Sequence, residues 1–178
     1  MKALLKARKA VDIVDLLRDL YELSEENRDF IRAKLERNAS TFQPYLDAVE
    51  DALYPDIYRN QPVRLGDARR AIAAYKRATR DAEGTLELML RFVECGTDFT
   101  AECGDIDERF YSSLSGMFDK IVEELGSLPL ASQRPHLERL SLVVERAGAV
   151  GWGYQDYIAD VLHRAFPESA QKIQRSDA

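Results

Sequence analysis

The chain has 178 residues, of which 46% are hydrophobic and 31% are charged, and its formal net charge is −6. This size and composition are typical of one folded domain and exclude a disordered chain. Two cysteines exclude a disulfide framework, and no apolar run approaches the ~20 residues that span a bilayer. Cations interrupt the first ten residues too often for a signal peptide, so we expect a cytoplasmic protein without membrane contact.

Helical periodicity runs through most of the chain, and no segment has the two-residue period of a strand. The first three predicted helices cover about 10–23, 25–37 and 41–55, with Ser24 as an N-cap and Pro44 in a first turn. Their apolar faces are predicted to consist of Val14, Leu17, Leu20 and Tyr21, then Phe30, Ile31 and Leu35, then Phe42, Tyr45, Leu46, Val49 and Leu53. A loop is expected from Pro55 to Pro62.

The fourth predicted helix, about 65–79, is strongly amphipathic. Its cations fall within roughly 120° of one another on a helical wheel, and we call them the basic stripe: Arg69, Arg70, Lys76, Arg77 and Arg80. The opposite side consists of Ala68, Ala71, Ile72, Tyr75 and Ala78. This pattern predicts a helix that packs through one face and presents the other to solvent or to a partner.

The fifth predicted helix, about 85–95, is apolar nearly all round, which indicates a central position. Its polar side is a narrow strip of Glu87, Arg91 and Glu94. The sixth helix is expected to begin at an Asp105 cap and to end near Leu125. Its predicted inward residues are Ile106, Phe110, Leu114, Met117, Phe118, Ile121 and Leu125.

The last two predicted helices cover about 135–147 and 154–166 and are separated by a glycine-rich turn around Trp152. Pro135 is placed in a first turn. The predicted inward residues are Leu137, Leu140, Val143, Val144 and Ala147, then Tyr157, Ile158, Val161 and Leu162. The sequence thus predicts an all-α fold, an irregular multi-helix bundle or a short α-α superhelix of about eight helices. We expect one domain over 1–166 and a polar tail over 167–178.

Residues 94–108 concentrate potential metal ligands, namely Glu94, Cys95, Asp98, Glu102, Cys103, Asp105, Asp107 and Glu108. The cysteine spacing does not match a zinc site, and the carboxylates do not match a calcium loop. We interpret the stretch as a helix end and a capped helix start with solvated acids. The alternative is a metal-dependent enzyme built on these carboxylates. Cys95 and Cys103 could share a face if the helix continues through Gly96.

No catalytic template fits the remaining nucleophiles and histidines. His136 and His163 lack a nearby ligand spacing, Ser112–Ser115 lacks the elbow glycine, and Gly148–Gly153 lacks the dinucleotide order. The sequence therefore predicts no catalytic, cofactor-binding or metal-binding residue and favours a protein that is not an enzyme.

Charge is segregated along the chain, with a net charge of +5 over residues 61–80 and −9 over residues 81–126. The basic stripe is interpreted as a solvated face, a docking surface for a protein, or a contact for nucleic-acid phosphates. A homodimer could set each stripe against its partner's acids. Trp152 is interpreted as a packed plug between helices or an exposed anchor. The leading hypothesis is a non-catalytic protein–protein interaction module, and a nucleic-acid-associated regulator is the alternative.

Three clusters of residues resemble a bacterial all-helical family of uncharacterised proteins, a domain of unknown function. The resemblance lies in Pro62-Val-Arg64 to Lys76, in Leu88-Met89-Leu90 to Phe99, and in Glu102 to Tyr111, within residues 10–125. It implies a small, cytoplasmic, helical protein. It carries over no catalytic residue.

Overall fold

The computed structural model describes residues 5–6, 8–36, 39–55, 61–149 and 151–167. Within these ranges the chain forms an all-α bundle without strands. From Ala10 onward the described ranges contain eight α-helices, which are α1 Ala10–Leu23, α2 Glu25–Leu35, α3 Ala39–Leu53, α4 Leu65–Thr79, α5 Ala82–Cys103, α6 Glu108–Gly126, α7 Leu130–Arg146 and α8 Tyr154–Ala165. A 3₁₀ turn, Ala147–Ala149, follows α7. Among the described residues, no helix is both long and apolar enough to cross a membrane.

Helix α5 is the centre of the bundle, as its nearly continuous apolar surface predicts. It packs against α3, α4, α6 and α7, while α8 covers α6 and α7 from outside. Leu88, Leu90, Phe92 and Val93 on α5 are fully buried. Helix α2 packs on α4 and α3, and α1 packs chiefly on α2. The bundle therefore has a solid centre around α5 and an α1–α2 hairpin at its edge.

Several predicted helix bounds are wrong, and the reasons are local. Helix α5 continues through Gly96 to Cys103, because Gly96 provides space for α6 rather than a helix end. A Cβ at Gly96 would lie 2.5 Å from Leu114 Cδ2. Asp107, not Asp105, caps α6 by accepting the Phe110 N–H at 2.7 Å.

Both internal prolines lie deeper in their helices than predicted. Helix α3 begins at Ala39 and helix α7 begins at Leu130, so that Pro44 and Pro135 each stand beyond the first turn. The first-turn rule placed both helix starts too late.

Most predicted core positions on α2 to α8 are at least partly buried, and the exceptions lie at helix ends and margins. Leu35 is 77% exposed at the end of α2, and Ile106 is 39% exposed before α6. On α8 the interior position belongs to Tyr154, whereas Tyr157 is 44% exposed and donates a hydrogen bond to Asp119. The predicted tail after residue 167 and most of the predicted 55–62 loop lie outside the described residues.

Candidate functional site

Helix α1 exposes an apolar face that nothing in the described chain covers. We define the α1 face by the six aliphatic side chains of the helix that are 38% to 74% exposed: Val11, Val14, Leu16, Leu17, Leu20 and Leu23. Five of them share the apolar side of the helix, and Val11 lies at its margin beside Arg18 and Glu22. The helix contains no buried residue, and only Ile13 and Tyr21 are half-buried, as expected for the side that α2 covers. An aliphatic surface of this kind on a water-exposed helix is typical of an interaction site.

The charges around the α1 face are ordered along the helix axis. The segment before the helix carries three exposed cations, Lys6, Arg8 and Lys9. The other end carries four exposed acids, Asp19 and Glu22 on α1 and Glu25 and Glu26 on α2. Between these ends, Arg18 forms ion pairs with Asp15 at 3.2 Å and with Asp19 at 3.6 Å. The α1 region is therefore positive at one end and negative at the other.

The basic stripe lies on the exposed side of α4, as predicted, but three of its five cations have partners within the chain. Arg69 donates to Ser113 and Arg70 to Asp67. Lys76 lies 3.5 Å from Glu124. These contacts tie α4 to α6 or neutralise charge locally, so that the stripe is less cationic than its sequence indicates.

Arg77 and Arg80 are the stripe members without an ion pair to another described residue. Arg80 does not follow the helical wheel, since α4 ends at Thr79 and Arg80 adopts a left-handed conformation at φ 56°. Beside it lies a cavity of about 310 Å³ whose lining carries Lys76 and Arg80 but also Asp81 and Glu124. Two positive and two negative groups leave this cavity without a preference for anions.

Trp152 is exposed, so its interpretation as a packed plug is wrong. Its side chain is 62% exposed, and its backbone is left-handed at φ 62°, followed by Gly153 at φ 66°. Tyr154 fills the interior instead, with its hydroxyl 3.0 Å from that of Thr97. The preceding Gly151 N–H donates to Asp105 at 3.0 Å and holds the turn in place. The exposed-anchor interpretation of Trp152 stays a prediction.

The polar strip of α5 forms an ion-pair cluster with α3 and α7. Arg139 on α7 binds both carboxylate oxygens of Glu94, at 2.7 and 2.9 Å, and reaches Glu87 at 2.5 Å. Arg91 joins Glu50 on α3 at 2.6 Å to Glu94 at 3.6 Å. The Glu94 bonds hold the pKa of Arg139 above its ordinary value despite its partial burial. We call these five residues the α5 ion-pair cluster.

This cluster borders a cavity of about 340 Å³ into which three arginines converge, Arg91, Arg139 and Arg146. Each guanidinium already has a carboxylate partner, and Arg146 is paired with Asp98 at 2.8 Å. The four carboxylates outnumber the three cations. An added anion would have to displace an existing partner, so the arrangement holds helices together rather than offering a phosphate site.

The acids of residues 94–108 are engaged separately rather than around one metal. Glu94 and Asp98 are ion-paired, which corrects their interpretation as solvated acids. Glu102 accepts a hydrogen bond from Tyr54, and Asp105 accepts one from Tyr111 at 2.7 Å. Cys95 is buried, and burial raises the pKa of its thiol to about 11, whereas Cys103 is exposed. Among the described residues, no three His, Cys, Asp or Glu side chains are placed to hold a metal.

The sequence predictions missed Glu50, Arg139 and Arg146. A signal for the last two was present, because cations spaced seven residues apart on α7 match the acids spaced along the polar side of α5. The α1 face was predicted as an apolar stripe, but the sequence did not predict that this stripe is exposed.

Comparison of the chain with protein-family models, curated proteins and solved structures gives no match. The bacterial family resemblance and the cytoplasmic location therefore stay predictions.

Proposed function

We propose that this protein is a non-catalytic interaction module that binds another polypeptide through the α1 face. The observation that supports this proposal is a fourteen-residue helix without a single buried residue and with six exposed aliphatic side chains. Isolated helices of this length are marginal in water, so α1 depends on contacts that cover its apolar side. Helix α2 supplies some of those contacts, and a partner would supply the rest.

The energy available from the α1 face is modest. Complete burial of a Val or Leu side chain contributes about 1.5–3 kcal/mol. The six side chains are on average about half exposed, so covering them contributes on the order of 5 kcal/mol. This gain is comparable with the cost of lost translation and rotation on association. We therefore expect a reversible complex rather than a permanent one.

The test compares three purified proteins as baits in a lysate of the source cells. They are the unmodified chain, a Leu16→Asp/Leu20→Asp variant of the α1 face, and a Leu142→Asp control on α7. Leu142 is 51% exposed and lies away from the α1 face. We expect polypeptides that bind the unmodified chain and the control equally but are lost with the α1 variant. Equal capture by all three, with matching thermal unfolding, would refute the α1 face as the docking surface.

The second candidate function is a nucleic-acid-associated regulator that contacts phosphates through the basic stripe. Arg77 and Arg80 favour it, because both are exposed and form no ion pair with another described residue. The internal contacts of Arg69, Arg70 and Lys76 weaken it. Binding to generic duplex DNA should then fall steeply with salt. It should also weaken with Arg77→Gln/Arg80→Asn, in which asparagine tolerates the left-handed backbone. Binding that is absent at low salt would eliminate this candidate.

A further inference from the structure

We propose that the occupant of the α1 face is a second copy of this chain, with the two α1 helices packed antiparallel about a two-fold axis. This inference rests on the proposed function of the α1 face and names the partner. It differs from a dimer held by the basic stripe, since three stripe cations already have partners within the chain. At the ends of α1, Asp19 lies 3.6 Å from Arg18. The other charged side chains there form no ion pair with a described residue, namely Lys6, Arg8, Lys9 and Glu22.

The charge order along α1 is self-complementary only when two helices run in opposite directions. Lys6, Arg8 and Lys9 at the beginning of one copy then lie near Asp19 and Glu22 at the end of the other, and the same contact repeats on the other side of the axis. A two-fold interface requires this reciprocity. Antiparallel packing also sets the positive end of each helix dipole beside the negative end of its neighbour. A parallel pair would instead bring like charges together at both ends.

The spacing of the aliphatic residues fits a helix as the partner. Leu16, Leu20 and Leu23 follow one another at intervals of four and three residues, the pattern of a two-helix seam. At 1.5 Å per residue these three leucines span about 10 Å along the helix axis. Six half-exposed side chains bury less than the ~800 Å² per partner of a stable interface, so the dimer forms reversibly as concentration rises.

The test exchanges the charges at the two ends of α1. One variant carries Arg8→Glu/Lys9→Glu, and the other carries Asp19→Lys/Glu22→Lys. The first variant adds acids near the N-terminus of α1 and the second adds cations near its C-terminus. The helix dipole favours both arrangements, so α1 should remain folded in both variants. Sedimentation velocity from micromolar to millimolar concentration measures the dimer for each variant alone and for the two mixed in equal amounts. Glu123→Lys/Asp156→Lys, on exposed sites of α6 and α8, is the control for net charge.

The unmodified chain and the control should dimerise alike, and each end variant alone should dimerise about tenfold more weakly. The mixture should regain the original affinity, because the reversed end of one variant then meets the reversed end of the other. A wild-type chain that stays monomeric, or a mixture that regains nothing, overturns the inference. If the lysate test still shows capture through α1, the proposed function survives that failure. If capture is also absent, both fail.

Discussion

Replacement of Arg139 by methionine tests whether the α5 ion-pair cluster holds the bundle together. Methionine keeps much of the aliphatic stem that packs between α5 and α7, so that the change removes mainly the guanidinium. Glu94 then loses its bidentate partner, and the Glu94 side chain is only 12% exposed. Its remaining cation is Arg91, at 3.6 Å. The variant therefore leaves a largely desolvated carboxylate with one distant counterion.

The size of the expected loss in stability follows from the exposure of Arg139, Glu94 and Glu87. Removal of one partner from a fully buried pair costs about 3–5 kcal/mol. Arg139 is 30% exposed and Glu87 is 37% exposed, so solvent already screens part of the interaction. We expect Arg139→Met to lower the free energy of unfolding by about 2–3 kcal/mol. Adding Glu94→Gln should recover about half of that loss, because the unpaired charge disappears.

Urea unfolding followed by circular dichroism measures both effects, and a thermal scan should show a Tm about 4–12 °C lower for Arg139→Met. Arg134→Met is the matched control on the same helix. Arg134 pairs with Glu138 at 3.1 Å, but these side chains are 75% and 67% exposed, so the control should cost less than about 0.5 kcal/mol. Equal stability of the two methionine variants would refute the assigned role of the cluster.

Further predictions concern four single sites. Cys103 is exposed while Cys95 is buried with its pKa raised to about 11, so a thiol reagent at neutral pH should label the native chain once. Cys103→Ser should abolish that labelling, and two fast-reacting thiols would contradict it. Gly116→Ala meets no atom within 4 Å and should add about 0.5–1 kcal/mol to the free energy of urea unfolding. By contrast, Gly96→Ala should lose about 1–2 kcal/mol, because its Cβ would lie 2.5 Å from a leucine of α6. The hydrogen bonds from a tyrosine hydroxyl and a backbone N–H lower the pKa of Asp105 below 3.8. Its carboxylate therefore stabilises the fold above pH 3.8 and ceases to do so as pH falls through the lower folded pKa. The stability difference between the chain and Asp105→Asn should be constant near neutrality and shrink in acid titrations.

The existence of each helix could be predicted from local pattern, whereas some bounds depended on neighbours. Helix α6 buries six of its seven predicted apolar residues, because one continuous 3.6-residue period determines its inward side. Gly96 was expected to end α5, since glycine is common just after helices. In the folded chain the same residue lies inside α5, where its missing side chain admits Leu114. Whether Gly96 ends α5 or lies inside it depends on how α6 packs, and the sequence around Gly96 does not reveal that packing.

Only the residues that α5 contributes to the α5 ion-pair cluster could be predicted from the sequence. The strip of Glu87, Arg91 and Glu94 is visible in sequence as the polar edge of an apolar helix. Its partners stand 41 residues before Arg91, at Glu50, and 45 residues after Glu94, at Arg139. Such pairs arise from the way α3 and α7 pack on α5. Periodicity on any one helix contains no information about that packing.

The α1 face shows why an apolar stripe does not by itself separate a core helix from a docking helix. Helices α1 and α6 both repeat apolar residues at intervals of three and four. Helix α6 lies among α5, α7 and α8 and is buried, whereas α1 packs chiefly on α2 and keeps Leu23 74% exposed. A short helix with one neighbour has little stability of its own, so folding of the α1–α2 edge is linked to whatever covers it. A partner on the α1 face should therefore slow amide exchange in α1 and α2 while leaving exchange in α5 unchanged.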